Sequence, residues 1–537
     1  MDILFHPLTL IILLPVIGAL VAYLTPTKVS RWVALIFSAL VFVVTLYLLG
    51  QGFSHGFGSL KTIGAVNRVD WNAVRVDWIS IPIGKIPFNV QYFMGVDGLG
   101  LPLVVLNGML TVLAIIGGWR RNRVKDYFAL LLLLEAGVMG VFTAMDLFLF
   151  FLFWEVELAP MFLLIGIWGN EQIKHGVPGR IYSAWKFLLY TFFGSVFMLV
   201  GFLLLYFMNA GTAGATITAS MPYFADPAHM PSGTLNILGI TASAQLVLFL
   251  LIFVAFAVKI PMFPFHTWLP DAHTDAPTEV SVILAGVLLK MGAYGLIRIC
   301  FTLFPEGIHA FAPWMAGLAV INIIYGAAIC LVQKDMKKLI AYSSISHMGI
   351  TLLGVAAAAG SGNVQFREVA LMGATFQLIS HGLISGMLFF CVGVIYDHAH
   401  TRMIADFGGV AKKMPRLATL FTLAGMASLG LPALAGFVAE YMVFTSSYKI
   451  WPVATVVSVF TMILTAGYLL WMLKRVFFGP FNKKWSWLPD ANPREMVPLV
   501  ILAAFIVIVG IYPKFLIDVL LPSLHHVLYD AAQALIK

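Results

Sequence analysis

The sequence predicts an all-α, polytopic membrane protein with about fourteen transmembrane helices. Of its 537 residues, 61% are hydrophobic and only 10% are charged, against about 25% charged in typical soluble domains. The mean hydropathy is +0.95, and apolar runs of about 18 residues or more, which is enough to cross a bilayer, recur along the whole chain. This composition excludes a disordered chain, and the net charge of +8 is spread too thinly to form the basic face of a nucleic-acid-binding protein.

Fourteen apolar segments, here called spans, follow one another along the chain. They lie approximately at residues 8–24, 32–50, 99–118, 127–143, 147–168, 187–209, 244–265, 278–297, 310–332, 339–359, 369–396, 417–447, 453–473 and 497–512. Helices are expected, because the runs do not show the alternating polarity of barrel strands. The first span is expected to remain in the mature protein, since no Lys or Arg precedes it as in a signal peptide.

The basic residues favour one orientation in the membrane. Loops that follow odd-numbered spans hold most of the Lys and Arg residues, including four between residues 120 and 125. Because cytoplasmic loops carry an excess of basic residues, these loops are expected inside and both termini outside. The outer loops 51–98 and 210–243 are interpreted as caps and hairpins over the bundle. The last inner loop, Lys474 to Glu495, suits an interfacial segment or a contact with a neighbouring subunit.

Ionisable residues lie within the predicted spans, where each is energetically expensive. They are Glu135 in the fourth span, Glu155 and Glu157 in the fifth, Lys259 in the seventh, Lys290 in the eighth and Glu440 in the twelfth. At about 3 kcal/mol apiece, such residues are tolerated only where they face one another, other helices or water. We therefore interpret them as a candidate relay, the alternative being buried ion pairs that only fix helix register.

The charges predict specific pairings. Glu155 and Lys259 have opposite signs and are expected to neutralise each other across facing helices. Lys290 has no oppositely charged neighbour in its own span, so a nearby carboxylate would switch it between a loaded and an empty state. Glu157 is two positions from Glu155 and hence on a different helix face, where a boundary or inter-subunit carboxylate is the alternative to a role in the relay.

Two spans carry residues that break a membrane helix. Three prolines between residues 261 and 270 follow Lys259 in the seventh span, and Gly430, Pro432 and Gly436 precede Glu440 in the twelfth. Proline removes a backbone donor and clashes with the preceding turn, and transporters use such breaks to build ion sites. Spans four to eight and nine to thirteen form two sets of five. Since five is odd, equivalent spans enter from opposite sides, as in an inverted repeat.

Histidines add a second class of proton-carrying group. His347 and His381 lie in the tenth and eleventh spans among serines, and a neutral imidazole passes protons through bound water near physiological pH. Packing roles, or ligation of a haem by the pair, are the alternatives. His266 and His273 lie at the mouth of the broken seventh span, where access or capping is as reasonable as a role in proton transfer.

The chain offers no redox centre of its own. Its three cysteines, Cys300, Cys330 and Cys391, lie singly in apolar stretches, so neither a disulfide framework nor an iron–sulfur cluster is expected. There is no Gly-rich dinucleotide or phosphate loop and no evident quinone pocket. Any electron transfer is therefore expected in partner subunits, with no cofactor in this chain.

The segment 256–298, with Lys-Ile-Pro-Met-Phe-Pro-Phe-His-Thr-Trp-Leu-Pro-Asp-Ala-His, resembles the antiporter-like, proton-pumping membrane subunits of respiratory complex I. Segments 153–161, 341–349 and 379–382 extend the match over nearly the whole chain. The resemblance implies fourteen helices with discontinuous seventh and twelfth members. It also implies two inverted five-helix repeats, at 127–298 and 299–475, with flanking parts at 1–126 and 476–537.

The resemblance implies roles for the candidate residues as well. Glu155 and Lys259 would form the ion pair of the inlet half-channel, Lys290 would be the connecting lysine and Glu440 the terminal exit residue. Glu135 matches the family's carboxylate in the fourth helix, and His347 and His381 match its central hydrophilic axis. Glu440 stands where most of the antiporter-like chains carry Lys. Glu157 departs from the family pattern as an added acid.

The resemblance also implies an assembly. The expected partners are the other complex I membrane subunits, including two further antiporter-like chains, in a lipid bilayer and without nucleic acid. FMN, iron–sulfur clusters and quinone are expected in partner subunits, and the basic inner loops favour a bacterial plasma membrane over an organelle. The alternatives are a subunit of a multisubunit cation/proton antiporter, a hydrogenase-linked or plastid relative, and a structural scaffold within the same complex.

Overall fold

In a computed structural model, residues 3–83, 86–211, 217–237 and 240–536 are described. Among these residues, twelve helices are long and apolar enough to cross a membrane. In chain order they are Pro7–Leu24, Thr27–His55, Leu101–Arg120, Val124–Thr143, Leu147–Trp168, Gly179–Ala210, Thr278–Phe301, Pro305–Val332, Met336–Gly360, Val364–Ala399, Pro452–Phe478 and Pro493–Ile511. They correspond in order to all the predicted spans except the seventh and the twelfth.

Each of the two remaining spans consists of two shorter helices. The seventh is formed by Ala244–Lys259 and Trp268–Asp275, and the twelfth by Pro415–Ser428 and Ala435–Tyr448. The first break begins directly after Lys259, where the prolines prevent a continuous helix. The predicted fold class, an all-α bundle with discontinuous seventh and twelfth helices, is confirmed, whereas the boundaries of the two repeats stay a prediction.

Lipid-facing helices are as apolar as buried ones, so apolarity does not show which helices lie at the centre of the bundle. Burial does show it. In the most apolar stretch of each helix, the share of residues that are buried is 100% for the eighth and eleventh spans and 94% for the tenth. The corresponding share for the second span is 28%. Lys290, His347 and His381 lie on those three central helices. The three most enclosed of the twelve long helices thus each carry a candidate relay residue.

The predicted outer loops fold into hairpins. Strands Val69–Asp70, Ala73–Ile83 and Ile86–Gly95 form an antiparallel sheet in the first loop, and Thr234–Ile237 pairs with Ile240–Ser243 in the second. Residues 84–85, 212–216 and 238–239 of these loops lie outside the described residues. The interpretation of both loops as hairpins is confirmed for the part that is described.

Helix Lys514–Ile536 follows the last span and is absent from the sequence-based expectation. Its Ser523 hydroxyl donates to the carbonyl of Gly58 (3.0 Å) and accepts from the backbone N–H of Gly98 (2.8 Å). A Cβ on Gly98 would lie 2.0 Å from the carbonyl oxygen of Val519, so this close approach requires glycine. At the other end of the chain, His6 also contacts the first outer loop, through the carbonyl of Asp70. Both ends therefore lie on the face of the bundle where that loop lies.

The last inner loop folds back onto the loop that precedes the twelfth span. The Trp485 indole N–H donates to the carbonyl of Asp406 (2.8 Å), and its ring stacks on Phe407 with centroids 5.2 Å apart. A contact of this loop with a neighbouring subunit stays a prediction. The remaining elements are the strands Ile173–Lys174 and Val177–Pro178 and the short helices Ile3–Phe5, Leu60–Gly64, Met221–Phe224, Ile404–Asp406, Val410–Lys412 and Lys483–Trp485.

Candidate functional site

A buried ion pair joins the fifth and seventh spans, but its acid is not the predicted one. Lys259 Nζ donates to Oε1 of Glu157, and both side chains are 0% exposed. The expected pair between Glu155 and Lys259 is therefore wrong. A helix turns about 100° per residue, so two residues that are two positions apart point in nearly opposite directions, and only one of them faces the lysine. The interpretation of Glu157 as a boundary carboxylate is wrong for the same reason.

Glu155 lies beside this pair and is closer to the surface of the protein than either member of it. Its side chain is partly exposed and faces Ser195 of the sixth span, and its Oε1 has no hydrogen-bond partner among the described residues. The indole N–H of Trp154 also donates to the Ser195 hydroxyl (3.1 Å). Glu155 thus interacts with the charge of Lys259 over a distance, but it forms no direct ion pair with this lysine.

The break after Lys259 is held by side chains from other parts of the bundle. Asn322 of the ninth span accepts from the N–H of Phe263 (2.7 Å) and donates to the carbonyl of Pro261 (3.2 Å). The indole of Trp268 donates to the carbonyl of Val258 (3.0 Å). Inside a membrane, backbone groups freed by proline need such partners. The ion pair consequently lies at a helix end with a fixed geometry.

Lys290 lies fully buried at the centre of the eighth span. Its Nζ donates to the carbonyl of Ala285 and lies within hydrogen-bond distance, 2.8 Å, of Nδ1 of His381. The carbonyl belongs to a π-helical segment, Leu284–Leu288, and such wider turns occur frequently at functional sites. Among the described residues no carboxylate lies within 4.0 Å of Lys290, so its direct contacts are to neutral groups.

A continuous series of contacts leads from Lys290 to Glu440. The rings of His381 and His347 lie 5.7 Å apart between centroids. On the far side, His347 Nδ1 lies 3.4 Å from Glu440 Oε1, and its Nε2 lies 3.2 Å from the Ser428 hydroxyl. Glu440, His347 and His381 are each at most 5% exposed. The structure thus brings together four of the predicted residues, which come from the eighth, tenth, eleventh and twelfth spans.

Two other parts of the predicted site remain apart. Lys259 has no direct contact with Lys290, although the eighth span packs against it so closely that a Cβ on Gly292 would lie 3.0 Å from its Cβ. Glu135 is buried, accepts a hydrogen bond from Ser38 of the second span (3.2 Å) and contacts none of the other candidate residues within hydrogen-bond distance. Glu135 is thus a buried acid that is separate from the series of contacts between Lys290 and Glu440.

The two histidines of the broken seventh span have different surroundings. His266 Nε2 lies 3.1 Å from the Tyr325 hydroxyl. His273 is fully buried and stacks on Phe389, and neither of its ring nitrogens has a hydrogen-bond partner among the described residues.

Sequence reasoning missed two buried charge clusters. Arg298 donates to Asp97 (2.5 Å), and the two side chains are 0% and 1% exposed. Glu279 accepts from Arg121 through two nitrogens at 3.1 Å and from the Tyr127 hydroxyl at 2.9 Å. The Glu279 carboxylate also raises the pKa of Arg121, which lies in the loop before the fourth span. The available signal was the presence of an Arg and a Glu within or beside the apolar run of the eighth span.

Lys337 lies with Lys334 and Lys338 in a basic stretch just before the tenth span, yet its side chain is buried. Its Nζ donates to the carbonyl of Ala276 at the end of helix Trp268–Asp275 (2.5 Å), and the residue is 4% exposed. The lysine therefore satisfies a backbone group at the second end of the broken seventh span.

In the described part of the chain no group of three His, Cys, Asp or Glu residues has a metal-binding arrangement.

Comparison with known proteins assigns this arrangement to a family. The family model described as NADH:quinone oxidoreductase/Mrp antiporter, TM, matches residues 144–465. The chain is 40% identical to NADH-quinone oxidoreductase subunit M of Rhodobacter capsulatus over 506 residues, which cover 93% of this chain and 91% of that relative. The chain belongs to this family. Other members are equally similar: NAD(P)H-quinone oxidoreductase chain 4 of Gloeobacter violaceus is 40% identical, with 97% of this chain and 92% of the relative covered.

Solved structures agree with the family assignment. A chain of respiratory complex I from Thermus thermophilus, determined with bound NADH, matches with a TM-score of 0.79 and 26% identity, covering 98% of this chain and 99% of that chain. A chain of the archaeal membrane-bound sulfane sulfur reductase matches with a TM-score of 0.75 over 94% of this chain and 76% of that chain. At 23% identity, the second likeness concerns the fold alone.

Proposed function

We propose that this chain is the proton-translocating subunit M, also called chain 4, of a respiratory NADH:quinone oxidoreductase. One observation supports this most strongly: a row of buried titratable side chains lies in the centre of the bundle. It consists of the ion pair of Glu157 and Lys259 and, without direct contact to that pair, the series Lys290, His381, His347 and Glu440. Buried charges in a membrane are expensive and mark ion or proton pathways.

We propose a direction of transfer along this row. The pair of Glu157 and Lys259 is the loading position, because separation of the two charges frees the lysine to pass its proton on. Lys290 receives the proton through water and transfers it to His381, which it contacts directly. A small cavity lined by His347, His381, Ser428 and Glu440 gives room for a water between the two imidazoles. Glu440 is then the terminal acceptor.

Energy for this transfer has to come from neighbouring subunits. Moving one charge against 100 mV costs about 2.3 kcal/mol. The three cysteines of this chain are free and buried, and they lie on different helices. We assign the FMN, the iron–sulfur clusters and the quinone to partner subunits, whose conformational or electrostatic work separates Glu157 from Lys259. Glu155, beside the pair, adjusts the field at Lys259.

The proposed setting is a hetero-oligomer in a bacterial plasma membrane, with the basic loops in the cytoplasm. The partners are the other membrane subunits of the complex, including two further antiporter-like chains. The names of the relatives and the Thermus complex I structure support this assembly. The proposed orientation places both ends of the chain and the first outer hairpin on the outer side.

The test is to purify the assembly that contains this chain, reconstitute it in liposomes and measure proton movement during NADH oxidation by quinone. Proton translocation that depends on NADH and is lost in Lys259→Met, with assembly retained, is the expected result. Sodium-dependent antiport without NADH-linked quinone reduction would instead select the multisubunit cation/proton antiporter. Normal proton translocation in Lys259→Met would contradict the proposed role of the pair.

A further inference from the structure

Glu440 borders two separate small cavities. The first is lined by His347, His381 and Ser428, on the side from which the proposed proton arrives. The second is lined by hydroxyl side chains, among them Ser458 and Thr461 of the thirteenth span, and by apolar residues of neighbouring helices. Glu440 is thus the residue that the two cavities share.

The two carboxylate oxygens of Glu440 have different surroundings. Oε1 lies 3.4 Å from His347 Nδ1. Oε2 has no hydrogen-bond partner among the described residues, although the side chain is only 4% exposed. A Cβ built on Gly430 would lie 2.5 Å from this oxygen and 3.3 Å from Cε of Met462, and Met462 lines the second cavity. The unpartnered oxygen is therefore near Gly430 and Met462, and both Glu440 and Met462 line the second cavity.

One buried face of the thirteenth span carries a row of hydroxyls. Thr455, Ser458, Thr461 and Thr465 are spaced by three or four residues, which places them on one side of the helix. Their exposure is between 1% and 6%. Each hydroxyl donates to the carbonyl four residues earlier in the chain, and a hydroxyl oxygen that donates in this way can still accept a hydrogen bond. Thr465 already has a side-chain hydrogen bond with Tyr468.

The row leads from Glu440 toward one end of the helix. Ser458, Thr461 and Thr465 line the cavity at Glu440, and Thr455 lies near the helix start at Pro452, where it borders an open groove beside Lys449. Phe444 and Met462 line both the cavity and the groove, so these two side chains separate them. In the proposed orientation, this end of the thirteenth span is the outer end.

We propose that Glu440 releases its proton to the outer surface along the hydroxyls of Thr461, Ser458 and Thr455, past a constriction formed by Phe444 and Met462. The O–H bond at Oε2 breaks as a hydroxyl or a single water in the cavity accepts the proton. Each hydroxyl that accepts a proton turns its own O–H away from the backbone carbonyl and gives that proton to the next hydroxyl or water toward the outer surface. The Glu440 carboxylate that remains is reprotonated from His347. The hydroxyls are relay and positioning groups. This inference rests on the proposed function and names the exit of the same pathway.

The test uses the intact complex in liposomes and removes hydroxyls without changing volume. We expect Ser458→Ala with Thr461→Val to lower NADH-driven proton translocation about tenfold, the effect of raising a barrier by about 1.4 kcal/mol. Thr461→Ser, which keeps the hydroxyl, is expected to behave as wild type. Thr419→Val is the matched control, because Thr419 also donates to the carbonyl four residues earlier but lies exposed on the first half of the twelfth span.

Oxidation of NADH by an artificial acceptor and the subunit composition show whether each variant is assembled. If the double variant does not assemble, the single substitution Thr461→Val, which is isosteric, provides the test. Normal proton translocation in the assembled hydroxyl variants, with a loss in Glu440→Gln, would overturn the proposed exit and leave the proposed function intact. Normal translocation in Glu440→Gln and Lys259→Met as well would overturn both.

Discussion

Replacing Glu157 by Gln tests which acid holds the loading lysine. The substitution keeps the shape of the side chain and removes its charge, so Lys259 is left without a counter-ion in a site where both residues are 0% exposed. Removing one partner of a buried pair costs about 3–5 kcal/mol. The remaining neighbours of the ammonium group are the rings of Trp154 and Phe187, at 5.2 and 5.6 Å. The wild type has these contacts as well, so they do not offset the cost of removing the carboxylate charge.

The cost of about 3–5 kcal/mol is a factor of about a hundred to several thousand in an equilibrium constant. We therefore expect Glu157→Gln to abolish coupled proton translocation in reconstituted liposomes while the complex still assembles. Glu155→Gln is the matched control and should have the smaller effect, since Glu155 is partly exposed and does not bond to Lys259. The resemblance to the family predicts the opposite order, so severe loss in Glu155→Gln with near-normal activity in Glu157→Gln would refute the argument from geometry.

Three further substitutions test other parts of the structure. Gly430 has a φ of +77°, so Gly430→Ala should cost about 1–2 kcal/mol of backbone strain. The new methyl group would also lie 2.5 Å from a carboxylate oxygen of Glu440, and a loss of proton translocation is expected. Gly317→Ala, whose methyl group would meet open space, should behave as wild type. Asn322→Ala removes two hydrogen bonds at the broken helix, and about 1–3 kcal/mol per freed group should lower the thermal stability of the complex. Arg298→Gln leaves the buried Asp97 carboxylate without its counter-ion and with only the N–H groups of Leu99 and Gly100 as donors, and a loss of about 3–5 kcal/mol should appear as reduced assembly on native gels. Unchanged melting or assembly would contradict the last two.

The order of the helices and the two breaks could be predicted from the sequence, because each depends on local chemistry. Apolar length decides a span, and the prolines after Lys259 and the glycines before Glu440 decide where a helix stops. The distinction between Glu155 and Glu157 depends on the rotation of the fifth span about its own axis. Packing fixes that rotation: Gly137 of the fourth span has no side chain, and a Cβ there would lie 3.1 Å from the backbone N of Glu157.

Contacts between distant parts of the chain could not be predicted from one sequence. Arg298 and Asp97 are 201 residues apart, and Ser523 bonds to Gly98 across 425 residues. Neither pair has a local spacing that would signal it. Helix Lys514–Ile536 was missed because its polar residues interrupt the apolar run, and its place on the first outer loop depends on the close approach at Gly98.

The central claim is that protons move along the buried row from Lys259 to Glu440, and Lys290 is the only lysine in the middle of it. The most direct measurement is the number of protons translocated per NADH oxidised in the assembled complex that carries Lys290→Met. We expect a lower ratio, or loss of coupled turnover, with wild-type behaviour in the exposed control Lys412→Met. An unchanged ratio in Lys290→Met would contradict the account and favour a structural scaffold.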